Sequence, residues 1–140
     1  YAIVVISNQA GVGDGKFTQE ALNAVTQHMT NTVEKTGGHI DGVYICPHGK
    51  LAGCDCRKPK IGLFEQAIKD FPCEREKTYF IGDKIGDIEA GKNFGLKTIL
   101  VLTGYGAQDK EKITDVCTPD AIKADLKEAV DYILKQGSEY

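Results

Sequence analysis

The 140 residues contain no tryptophan, one methionine and only four prolines. No apolar run approaches the roughly 20 residues a membrane helix needs, and nothing resembles a secretory leader. Positive charge is in deficit: 17 Lys and Arg face 20 Asp and Glu, for a net charge of −3. That balance leaves no broad basic field for duplex nucleic acid or an anionic membrane. Aromatic residues are few and are not interleaved with cations, which argues against a single-stranded nucleic acid as well. An even set of cysteines is lacking too. There are five, and three of them crowd into eleven positions with a histidine. This suits a metal site in a reducing compartment better than a disulfide framework, so a cytoplasmic location is expected.

A 41% hydrophobic content in 140 residues predicts one compact domain, residues 1–140, around a single core. Ala2 to Ile6 is a continuous run, mostly β-branched, of the kind found in a parallel strand covered on both faces. A glycine loop (Gly11, Gly13, Gly15) follows, and Thr18 is placed to cap a helix. That helix turns Leu22, Val25, Met29 and Val33 inward and stops at Gly37-Gly38. Further strands are predicted at Val43–Cys46, Thr78–Ile81 and Lys97–Leu102, with a short edge strand at Ala121-Ile122. Further helices are predicted at Leu63–Phe71, at Ile85–Phe94, and at the C-terminus with Leu126, Val130, Ile133 and Leu134 on one side. Strands separated by helices predict an α/β, doubly wound, mostly parallel Rossmann-like sheet, in which ligands gather beyond the carboxyl ends of the strands.

Between strand and helix lies a loop without periodicity that reads Cys46-Pro47-His48, five residues, Cys54-Asp55-Cys56. Three thiolates and one imidazole complete a tetrahedral shell. The soft donors favour zinc, and four protein ligands leave no position open for catalytic water. A structural zinc is therefore expected, in a zinc loop spanning residues 46–58. Ordinary buried cysteines or a redox pair are the competing readings. Cys73 and Cys117 stand alone, and His28 and His39 have no partners in sequence.

The other strand ends carry polar residues. Ser7-Asn8-Gln9 follows the first strand, where hydroxyl and amide groups could meet phosphate oxygens, helped by free N–H groups of the glycine loop. Arg57-Lys58-Pro59-Lys60 follows the last zinc ligand, as an anion site or as a solvated basic stretch. Gly82-Asp83-Lys84 ends the strand Thr78–Ile81, with Asp83 placed to bind magnesium. Asp87, in the first turn of the next helix, is divided between magnesium binding and helix capping.

Taken in order, S-N-Q, C-P-H…C-D-C-R-K-P and G-D-K-x-x-D resemble the haloacid dehalogenase superfamily, and within it the zinc-bearing branch of small phosphatases. The resemblance runs along essentially the whole chain. It implies that Ser7 and Asn8 bind the phosphate. It makes Lys58 the lysine that neutralises the transferring phosphoryl group, and Arg57 a neighbour that touches substrate. Asp83 becomes the magnesium ligand, flanked by Lys84 as a substrate contact and Asp87 as a possible second ligand. Cys46, His48, Cys54 and Cys56 become the zinc ligands. Positioning and charge neutralisation around one phosphate are what phosphoryl transfer needs.

One departure matters. The family attacks with an aspartate of a D-x-D-G-T element on a preceding strand, forming an aspartyl-phosphate. No Asp-x-Asp occurs in the 140 residues, and Asp41-Gly42-Val43 stands in the wrong place. Together with an opening inside an apolar run and no initiator Met, this leads to the expectation of a missing N-terminal segment. That segment would hold the nucleophile and a central strand of the sheet, and its absence would expose two strand edges. The chain alone is expected to be inactive. The expected substrate is a small phosphorylated sugar, a heptose bisphosphate before histidinol phosphate. A monomer is expected, with no nucleic-acid or membrane partner. A catalytically inactive, zinc-stabilised binding module is the alternative from another class.

Overall fold

The run of β-branched residues that opens the chain forms β1 (Val4–Asn8), which pairs in parallel with β2 (Gly42–Cys46). In this computed structural model, which describes residues 1–138, the chain divides into two compact units. The first comprises Tyr1–Arg57 and Gly62–Pro72; the second comprises Lys58–Ile61 and the residues from Cys73 onward.

In the first unit, α1 (Gln19–Lys35) links the two strands and α2 (Gly62–Asp70) follows the zinc loop. Thr18 caps α1, its hydroxyl accepting the Ala21 N–H at 3.1 Å. The inward face of α1 differs from the expected one. Leu22 is buried and Met29 and Val33 are half-buried, but Val25 is 67% exposed. A step of three rotates Val25 off the face, and Thr26, a step of four from Leu22, takes its place and hydrogen-bonds the Leu22 carbonyl. Helix α2 buries Leu63 and Phe64.

In the second unit, β3 (Tyr79–Gly82), β4 (Lys97–Val101) and β5 (Ala121–Lys123) form a parallel sheet in that order. Helix α3 (Ile85–Phe94) connects β3 to β4 and buries Ile88, Ala90 and Phe94. Gly91 lets it lie close to the sheet: a Cβ there would meet the Thr98 methyl at 2.6 Å. A four-residue helix, α4 (Gly106–Asp109), continues into a 3-10 turn at Lys110–Lys112 that periodicity did not predict. The last helix, α5 (Leu126–Gly137), buries Ala129 and Ile133 against Ile99 and Val101. Here too the expected face shifts. Leu126, Val130 and Leu134 are 58%, 41% and 53% exposed, because the face that packs is the one carrying Ala129 and Ile133.

Both units are α/β with wholly parallel strand pairing among the described residues, but the strands form two separate sheets, β1-β2 and β3-β4-β5, where one doubly wound sheet was expected. No helix among the described residues is long and apolar enough to cross a membrane.

Candidate functional site

Parallel pairing puts the carboxyl ends of neighbouring strands side by side. In the first unit Asn8 stands opposite Cys46, so Ser7-Asn8-Gln9 and the start of the zinc loop share one edge. The Gln9 side-chain amide donates to the Ser7 oxygen at 2.9 Å, which turns the Ser7 hydroxyl proton toward some other acceptor. The glycine loop does not contribute as expected. Its N–H groups from Val12 to Phe17 all donate to carbonyls of the chain, Gly13 to Pro47 at 2.9 Å and Lys16 to Gly11 at 2.7 Å. The loop is spent on its own turns and on bracing the zinc loop, and those N–H groups are unavailable to a phosphate.

Cys46, His48, Cys54 and Cys56 come together, with one donor atom from each lying within 4.8 Å of all the others. The Cys46 Sγ lies 3.5 Å from Cys54 Sγ, 2.8 Å from Cys56 Sγ and 3.4 Å from His48 Nδ1, which is 3.1 Å from Cys56 Sγ. The donor set suits zinc in chemistry; a zinc tetrahedron with metal–sulfur bonds of about 2.3 Å has edges of about 3.7 Å, so the Cys46–Cys56 pair, at 2.8 Å, would have to open to hold it. Crowding alone splits the thiols. Burial first, then the hydrogen bonds and charges of Cys46 and Cys54, push the Cys56 thiol up to about 12. Burial also pushes Cys54 up, but hydrogen bonds from Cys46, from the Arg57 backbone and from Cys56 outweigh it and bring it down to about 6. A divalent cation would relieve this conflict, since coordination holds all three sulfurs as thiolates. Arg57, half-buried, turns its backbone N–H to Cys54.

The second unit holds Lys58 and the acidic turn after β3. Lys58 Nζ lies 2.8 Å from Asp87 Oδ1, the two side chains being 10% and 11% exposed, and 5.3 Å from the Phe80 ring centroid. The other Asp87 oxygen accepts the Lys84 N–H at 3.2 Å. Asp87 thus accepts the N–H at the start of α3 and pairs with the lysine at once. With both oxygens engaged, Asp87 suits a cation less well than Asp83.

Asp83 is half-buried and its Oδ2 accepts the Tyr105 N–H at 3.0 Å. The fit depends on Gly104, whose φ is +58°: a Cβ there would sit 2.2 Å from Asp83 Oδ2. A hard carboxylate, set by a backbone donor in a cradle that a methyl would fill, matches the donor chemistry of magnesium. Replacing Gly104 by Ala is expected to lower stability by more than about 1 kcal/mol through backbone strain and to expel the carboxylate. Thermal unfolding and the Asp83 side-chain resonances would report it. Lys84 is exposed and its ammonium lies 4.5 Å above the Tyr105 ring.

Sequence reasoning missed Asp109. It is 5% exposed, accepts the Ile85 N–H at 2.8 Å and pairs with Lys112 at 2.8 Å. The ammonium of Lys112 first, and the Ile85 N–H next, hold its carboxyl below the usual range against the opposing effect of burial. A depressed folded-state pKa contributes stability above the unfolded value of about 3.9, lost as pH falls through the folded value. The protein should therefore weaken between neutral pH and pH 3, and Asp109→Asn should weaken less; urea titrations at the two pH values would show this. The available signal was topological. Gly82 pairs with Leu100, so the segment after β4 must emerge beside the Asp83 turn.

The chain is similar to known proteins along much of its length. Curated relatives named D-glycero-beta-D-manno-heptose-1,7-bisphosphate 7-phosphatase include those of Neisseria meningitidis, 39% identical over 76% of this chain and 57% of the relative, and Pseudomonas putida, 35% identical over 80% and 64%. The chain thus spans roughly three-fifths of the length of these relatives. The crystal structure of the D,D-heptose 1,7-bisphosphate phosphatase of B. bronchiseptica, complexed with magnesium and phosphate, superposes with a TM-score of 0.88 at 28% identity, over 96% of this chain and 75% of that one. The corresponding Burkholderia thailandensis structure gives 0.65 at 27% identity, over 89% and 69%. The family model described as HAD-hydrolase-like matches residues 55–129, more than half of the chain and the stretch that contains Lys58, Asp83 and Asp87. By that match the chain belongs to the HAD-hydrolase-like family.

Proposed function

We propose that this chain carries most of a magnesium-dependent phosphatase that hydrolyses D-glycero-D-manno-heptose 1,7-bisphosphate to the 1-phosphate. The observation that carries the reading is the nearly buried Lys58–Asp87 pair in the same unit as the Asp83 turn. An ammonium held by a carboxylate keeps its charge and its direction, as a group that neutralises a phosphoryl oxygen must. The names of the relatives support the substrate.

In this reading Ser7 donates its hydroxyl proton to a phosphate oxygen, with Asn8 beside it. Lys58 offsets the charge of the transferring group, and Arg57 and Lys84 contact the remainder of the substrate. Asp83 holds magnesium, which when bound supplies further neutralisation of the phosphate; Asp87 orients Lys58 in preference to binding metal. The nucleophilic aspartate comes from outside these residues, because they contain no Asp-x-Asp. Zinc at Cys46, His48, Cys54 and Cys56 is structural. The peptide leaving Cys56 carries Arg57 and Lys58 as its next two residues, so the metal fixes the stem of both cations.

Phosphate release would be measured with the 140-residue chain and with the chain joined to an N-terminal Asp-x-Asp segment. The first is expected to be silent and the second active, with the heptose bisphosphate preferred. Release by the chain alone would overturn the external nucleophile, and a preference for histidinol phosphate would overturn the substrate. No activity in the joined form would leave a zinc-stabilised binding module.

A further inference from the structure

Three carboxylates surround the start of α3, and only two belong to the G-D-K-x-x-D stretch. The third, Asp109, comes from the far end of α4, 26 residues after Asp83 in sequence. Its Oδ2 takes the Ile85 N–H and its Oδ1 takes Lys112. An unpaired charge so buried would be expensive, but each oxygen here has a partner. What the arrangement does is mechanical. One end of the Gly104–Asp109 segment gives the Tyr105 N–H to Asp83, the other end grips Ile85, two residues beyond, and the Lys84 ammonium rests on the Tyr105 ring. The turn Gly82–Ile85 is thus clasped at both ends by one short segment.

We infer that Asp109 is a positioning residue for Asp83: by holding the Ile85 N–H it locks α4 against the acidic turn, and the locked segment delivers the Tyr105 N–H that sets the Asp83 carboxylate toward a divalent cation. This rests on the reading of Asp83 as a metal ligand and assigns a partner to that ligand. A donor that hydrogen-bonds a ligand oxygen tunes metal affinity because it fixes that oxygen before the ion arrives. The clasp also occupies the Lys84 and Ile85 N–H groups at the start of α3 with carboxylates, so this helix end favours a cation nearby over an anion.

The test is Mn2+ binding to the zinc-loaded 140-residue chain, followed by the paramagnetic signal of the free ion, with circular dichroism and zinc content as checks on folding. Asp109→Leu is expected to weaken binding by about 10-fold. Asp109→Asn, which keeps an oxygen for the Ile85 N–H, is expected to stay within about 3-fold of wild type, since the grip and not the charge carries the effect. Equal losses in the two variants would mean a purely electrostatic role and overturn the inference. So would a folded Asp109→Leu that binds Mn2+ as tightly as wild type. If Asp109→Leu does not fold, Asp109→Glu, which displaces the oxygen by one methylene, reads the same quantity, and wild-type affinity there would overturn the inference as well. The underlying reading fails separately: it falls if Asp83→Asn binds Mn2+ like wild type, or if wild type binds none.

Discussion

Stripping the metal, or replacing Cys54 by Ser, is expected to melt residues 47–57 and to lower the unfolding midpoint of the protein more than any single core truncation. Structural zinc contributes on the order of 10 kcal/mol in small zinc-binding peptides. This loop has little else to hold it: Leu51 is fully exposed, Ala52 and Gly53 are exposed, and only Cys46 among the ligands is buried. Elemental analysis should find one zinc per chain, and thermal unfolding with and without chelator should separate clearly. An unchanged midpoint after verified zinc removal would sink the structural role. In the joined, active form, Cys54→Ser should weaken substrate binding at least as much as it lowers stability, because the stem of Arg57 and Lys58 loosens. Because bound ligands must be deprotonated, zinc retention should fall as the pH is lowered.

The second large effect is expected at the Lys58–Asp87 pair. Lys58→Met leaves an almost buried carboxylate without its cation, a change that costs about 3–5 kcal/mol in comparable pairs. Asp87→Asn should cost less, since an amide oxygen can still accept the Lys84 N–H and keep the cap. Lys58→Met combined with Asp87→Leu should recover part of the loss, because two apolar groups of similar volume need no pairing. Urea unfolding of the three variants orders these outcomes, and a fully additive double variant would show that the two groups are not coupled. In the joined form Lys58→Met should also lower kcat by about 100-fold or more, as loss of one preorganised charge at a developing anion does.

How legible these features were in the sequence depended on how far apart their parts lie. The Cys/His cluster was legible because all four side chains fall within eleven positions, where local chain geometry brings them together. The strands β1 to β4 and the helix α3 were legible because their apolar runs are bounded by polar, glycine or proline residues. Faces were read less well. Val25 and Leu126 fit a helical period but lie one position off the face that packing selects, and period alone cannot say where on the wheel a neighbouring strand will sit. The clasp by Asp109 was not legible at all. It depends on β3 and β4 being parallel and in one register, with Gly82 opposite Leu100, a fact set by nothing near Asp109 in sequence. Asp87 was ambiguous between capping and metal binding because the same position serves both; the lysine it pairs with lies 29 residues away.

The zinc loop is closed at its base and idle at its tip. Lys50 to Gly53 are exposed and Leu51 reaches fully into solvent, while Cys46, His48, Cys54 and Cys56 gather on either side. Lengthening a loop whose ends are already pinned costs only about 0.6 kcal/mol for each doubling. The tip is therefore a natural place to graft a fluorophore, an affinity tag or a whole reporter domain, with the gathered Cys/His side chains between it and the rest of the protein.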